Sequence, residues 1–145
     1  MNSKLTMALV SESQEGNVGE EWKYALEVKV FHHGLQAEKT ISVPKHKLAS
    51  GAVQVPHGEP PPEVLYTGEC RGELLVRMRL TATEVDLFIN DTGSADRDVV
   101  VECPGPGGST VTKDVDIAAG VRESPGIIPK NAVFKLRVRF TMEAA

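Results

Sequence analysis

Phe134-Lys135-Leu136-Arg137-Val138-Arg139-Phe140-Thr141-Met142 alternates apolar and polar side chains at every step. Successive residues of a strand leave the backbone on opposite sides, so this stretch carries one greasy face and one charged face. The same period of two returns in Trp22, Tyr24, Leu26, Val28 and Val30, and again in Leu74, Val76, Met78 and Leu80. Faces of this kind need a second layer to cover them. The pattern therefore predicts an all-β chain, an antiparallel two-sheet β-sandwich of Greek-key or jelly-roll type with about eight to nine strands. No segment sustains a helical apolar period over three turns, and no internal repeat suggests a propeller or trefoil.

Working outward, strands are expected at Lys4–Val10, Glu21–Phe31, Leu35–Val43, Glu63–Thr67, Gly72–Leu80, Arg97–Cys103, Ser109–Ile117 and Asn131–Met142, with a short one at Val53–Val55. His32-His33-Gly34 reads as a hairpin turn in which Gly34 takes a positive φ. Ser11–Glu20 is polar, holds Gly16 and Gly19, and reads as a loop. Pro44–Pro62 reads as an irregular connector stiffened by Pro60-Pro61-Pro62. Val85, Leu87 and Ile89 place apolar residues at odd positions after a run of even ones, which calls for a turn or bulge near Thr81–Glu84. Asn90–Asp96 then reads as a polar turn and Ala118–Lys130 as a loop.

At 145 residues the chain is expected to form one domain, residues 1–145, with 41% hydrophobic residues to fill its core. Its 16 basic and 20 acidic residues give a formal charge of -4, which argues against nucleic acid as the partner. No apolar run is long enough for a membrane span, and the N-terminal residues lack the apolar core of a signal peptide. The expectation is a soluble, cytoplasmic protein, with a trimmed leader or a signal-less export route as the alternative. Cys70 and Cys103 do not make a disulfide framework and fit no zinc spacing, so they are expected to be reduced unless their strands are neighbours.

Two groups of side chains stand out. Asp91, Asp96 and Asp98, with Asp86 and Asn90 just upstream, form an acidic loop of the kind that collects oxygen ligands for calcium, the one cofactor the sequence suggests. Arg77 and Arg79 share the polar face of one strand, and Lys135, Arg137 and Arg139 that of another. If those strands are neighbours, the cations gather into a basic binding face, with Glu27, Asp114 and Asp116 available to intervene. His32, His33, His46 and His57 lack the spacing of a metal site and read as loop residues. No nucleophile elbow or phosphate loop is present, so no catalytic residues are assigned.

Ala119-Gly120, Pro125-Gly126-Ile127-Ile128-Pro129 and Asn131-Ala132 before the alternating final strand, together with Tyr66-Thr67-Gly68, resemble the C-terminal end of the macrolide-binding (FKBP-type) prolyl isomerases. The resemblance implies a helix packed across a half-barrel and a proline pocket lined by Tyr66, Ile127 and Ile128. The family's central Trp-led segment is missing, the single Trp being Trp22, and Ala119 replaces an aromatic, so the implied domain is a degenerate one. From the residues themselves the expected function is a non-catalytic binding or assembly module, oligomerising or meeting a protein partner through sheet faces or edges. The alternatives are a calcium- or carbohydrate-binding sandwich and the degenerate isomerase domain.

Overall fold

The computed structural model describes residues 2–87, 89–105, 107–123 and 130–145. Those residues form nine strands and no helix: β1 (Asn2–Gly16), β2 (Glu21–Phe31), β3 (Leu35–Lys47), β4 (Val53–Gln54), β5 (Glu63–Glu69), β6 (Glu73–Glu84), β7 (Asp91–Glu102), β8 (Val111–Arg122) and β9 (Asn131–Ala144). One sheet runs β4-β1-β9-β8, with β5 also paired to β1, and the other runs β3-β2-β6-β7. Every pairing is antiparallel. We refer to these as sheet A and sheet B. The chain crosses between them after β1, β3, β5 and β7, so the two layers are woven together and form the sandwich the alternation predicts.

The inward faces are the ones legible in the sequence. Trp22, Leu26, Leu74, Met78 and Leu80 from sheet B meet Leu5, Met7, Phe134, Leu136 and Phe140 from sheet A, all fully buried. The Phe134 ring sits between Tyr24 and Trp22, with centroid separations of 4.9 and 5.5 Å. At the β2–β3 hairpin Gly34 takes φ 119°, as expected, and His33 shares the positive region at 55°. On one flank β7 and β8 close the gap between the sheets. A Cβ on Gly93 would lie 2.1 Å from the Gly120 carbonyl oxygen, so only glycine permits that approach.

Several segments depart from the expectation. Ser11–Gly16 is not loop but the continuation of β1. The pairing with β9 shifts between Leu9 and Ser11, a bulge that makes Val10 the extra residue and reverses the parity of the strand beyond it. No turn falls at Thr81–Glu84, because β6 runs through Glu84. The strand ends at Glu84 and the next begins at Asp91, and between them Leu87 and Ile89 are exposed. β7 starts at Asp91, so the expected polar turn at Asn90–Asp96 is strand for all but its first residue. β8 likewise extends to Arg122, into the segment expected as loop.

Cys70 and Cys103 are joined in a disulfide, which corrects the expectation of reduced thiols. The segments that carry them meet in space, the condition under which a bridge is possible. Cys70 follows β5 in sheet A and Cys103 follows β7 in sheet B, and the Cys103 amide donates to the Gly72 carbonyl at 2.9 Å. The bridge spans a sequence separation of 33 and ties the two sheets covalently. A loop of that length restrains the unfolded chain by about 3–4 kcal/mol in the chain-entropy account. Replacing both cysteines by serine should lower the unfolding free energy by about that amount, measured by urea titration.

Candidate functional site

The arginines do not gather. Arg77 and Arg79 lie on β6 in sheet B, whereas Arg137 and Arg139 lie on β9 in sheet A, and the two sets point outward from opposite faces of the sandwich. Each is matched by a neighbouring strand. Arg77 donates through Nε and Nη2 to Asp98 at 3.0 and 3.3 Å, Arg137 to Asp116 at 2.8 and 3.3 Å, and Arg139 to Asp114 at 2.8 and 3.0 Å. Arg79 is more loosely held by Asp96, at 3.8 Å. The hydrogen bonds from the arginines hold the carboxyls of Asp98, Asp114 and Asp116 below the usual aspartate range. Asp114 and Asp116 do not intervene between the two basic strands, which lie in different sheets; they pair from β8 with the arginines of β9 alone.

The acidic triplet is likewise spread along a strand. Asp96 and Asp98 face outward on β7 against Arg79 and Arg77, while Asp91 turns inward and is buried. Alternation separates Asp91 from the other two, so the three carboxylates do not form one loop. Among the described residues no three His, Cys, Asp or Glu side chains make a group able to hold a metal ion.

The outer face of sheet B is built in rows across its strands. Glu38, Lys29, Arg77 and Asp98 form one row by register, and Glu27, Arg79 and Asp96 another. A shallow groove of about 480 Å³ runs among them. The next row is apolar: Leu35 pairs with Phe31, Phe31 with Leu75, and Leu75 with Val100. It spans about 14 Å at ordinary strand spacing. Leu35 is 52% exposed and Val100 43%. Val100 shares a hollow with Val111 of β8, which carries the stripe to the edge of sheet A. The Arg77 guanidinium lies 5.4 Å from the Phe31 ring centroid and joins the ionic row to the apolar one. Elsewhere exposed valines sit in polar rows: Val133 lies between Glu15 and Gly120, and Val64 beside Thr6.

A second centre was hidden in the segment read as loop. Past the Val10 bulge, Glu12 and Gln14 point inward and are buried. The Glu12 carboxylate accepts from the Tyr24 hydroxyl at 3.1 Å, the His57 amide at 2.8 Å, the Gln54 side chain at 3.2 Å and the His46 ring. Four donors fill the lone pairs a carboxylate offers, and this makes its burial tolerable. The other ring nitrogen of His46, Nδ1, lies 2.8 Å from the Pro44 carbonyl oxygen, so both ring nitrogens are engaged and none is left to bind a metal. His57 stacks on His46, with centroids 4.6 Å apart and planes 3° from parallel. The sequence carries no signal for this centre: after Leu5, Met7 and Leu9 at odd positions, Glu12 and Gln14 at even ones read as the outward face of the same strand, and only the register shift at Val10 turns them inward.

Tyr66 lies on β5, its hydroxyl donating to the Glu69 carbonyl. Ile127 and Ile128 fall outside the described residues. The helix and half-barrel that the isomerase resemblance implies are not what the described residues form, since these are strands in two layers. No helix among them is long and apolar enough to cross a membrane. Compared with family models and with curated proteins, the chain gives no match.

Removing the Glu12 side chain strands its donors in the interior. Glu12→Ala should lower the unfolding free energy by about 3–5 kcal/mol in urea titration. Burial, then the Glu12 charge and its hydrogen bond, push the Tyr24 hydroxyl far above the usual tyrosine range. A raised group keeps its contribution whole below its unfolded value and loses it as pH rises. Stability should therefore decline above about pH 10, where an unfolded tyrosine ionises. Tyr24→Phe should flatten that alkaline decline in thermal melts followed by circular dichroism.

Proposed function

We propose that the chain is a non-catalytic binding and assembly module whose working surface is the outer face of sheet B, and that it self-associates there. The observation that carries this reading is the apolar row Leu35–Phe31–Leu75–Val100, which lies beside rows of charged side chains on the same face. An aligned, part-exposed row gives up apolar area to a flat partner at little conformational cost, and the ionic rows beside it supply orientation. A second copy of the sheet offers both features at once, which a small sugar does not. Nothing in the arrangement of Asp91, Asp96 and Asp98 favours the calcium or carbohydrate alternative.

The inter-sheet disulfide supports an oxidising compartment in place of the expected cytoplasm, because cytosolic thiol reductants keep such pairs open.

Val100 is the position to test, since its side chain points outward and makes no core contact. Sedimentation velocity across a concentration series should show association of the unaltered protein, and Val100→Glu should abolish it without changing the melting temperature by more than a few degrees. A protein that stays monomeric to several hundred micromolar would sink the self-association reading.

A further inference from the structure

We infer that Glu84 is a proton-operated latch at one end of the sandwich: protonated, it lets Val85, the residue that follows β6, stay docked on β2, and ionised, it drives Val85 off. Glu84 is the last residue of β6, points inward, and is only 5% exposed. Its Oε2 has no hydrogen-bond partner. The opposite side of the carboxyl is closed by Gly19, where a Cβ would lie 2.1 Å from Oε1. Asp91, the first residue of β7, pairs directly with Glu84 across the strands and is equally buried. Asp86 on the connection and Glu123 just past β8 are the other charges that act on it, and both are negative. The backbone of Glu21 on β2 gives one hydrogen bond. The Glu21, Lys23 and Arg122 side chains are exposed, and Lys130 lies 3.9 Å from Glu123, at the rim.

A carboxylate so placed has lost water and gained like charges, while the neutral acid loses far less. Burial first, then the negative charge of Asp86, with smaller shares from Asp91 and Glu123, raises its titration above the usual glutamate range despite the Glu21 hydrogen bond. With a raised group, stability is full below the ordinary glutamate value and is lost as pH climbs through the folded-state value. What gives way first is local. The Val85 amide, next in the chain, is bonded to the Glu21 carbonyl at 2.7 Å, the bond that fastens this residue to β2.

Hydrogen exchange of the Val85 amide between pH 4 and 8, expressed as a protection factor, tests this in the intact protein. Protection should fall by roughly tenfold for each unit by which the acid is raised, while central amides of β9 such as Leu136 keep theirs. Glu84→Gln should hold Val85 protection constant over the same range, and Asp86→Asn should move the fall to lower pH. Carbon-13 carboxyl spectra of the unaltered protein give a second measure that needs no variant at Glu84. A Glu84 midpoint in the ordinary range, or Val85 protection that ignores pH or follows it identically in Glu84→Gln, would overturn the latch.

Discussion

Each strand in a two-layer protein must give one side to the dry interior, and a slip of a single residue reverses which side that is. The rest of this molecule is arranged around that constraint. It holds without interruption along β2 and β9, and along β6 as far as Ala82, with every second residue buried. It is broken once along β1, by the bulge at Val10, and from there polar residues enter the core. Interior polar groups are tolerable only when their hydrogen bonds are met. Glu12 meets this demand by drawing donors from β2, β3, β4 and the connection that holds His57. The parity change thus creates a polar tie between the sheets toward one end of the sandwich, and the Cys70–Cys103 bridge makes a covalent one at the other.

Outside the core the same alternation produces ladders. Because arginine alternates with the buried residues of β6 and β9, and aspartate with those of β7 and β8, each of these arginines finds a carboxylate on the adjoining strand, whereas Lys135 lies opposite Ala118 and Ser13. Exposed pairs of this sort add little stability. Their effect is on recognition: they leave no broad field of one sign on either face, and the apolar row crossing sheet B becomes the feature that sets that face apart.

The strands with a steady period were legible in the sequence, as were the core residues on them and the turn at His32–Gly34. The pairing of Asp114 and Asp116 with Arg139 and Arg137 was not, because the sequence offered these acids only as separators of two basic strands that in fact lie in different sheets. What stayed hidden depends on chain segments meeting in space. A bulge leaves no residue signature at Val10, so Glu12 and Gln14 read as surface and their segment as loop. The acidic residues from Asp91 to Asp98 are typical turn formers by composition, yet pairing with β6 makes them strand. The disulfide could be stated only as a condition, because whether two cysteines meet depends on strand order. The apolar row on sheet B is a matter of register: Leu35, Phe31, Leu75 and Val100 are far apart in sequence and align only once three strand pairs are set.

The pairing of β1 with β9, from Ser3 opposite Ala144 to Gly16 opposite Ala132, joins strands with all the others of the sandwich between them in sequence. During synthesis β1 has no long partner until β9 leaves the ribosome; before that it can borrow only β5 and the two-residue β4. Sheet B, whose strands β2, β3, β6 and β7 are complete well before the end, can assemble first and wait with its greasy side uncovered. Closure of the sandwich therefore waits on β9 and joins segments far apart in sequence, the kind of distant contact that makes all-β proteins slow to fold. A nascent chain stalled short of residue 131 would present half a core to its surroundings, and a helper that shields apolar strands would matter most at that moment.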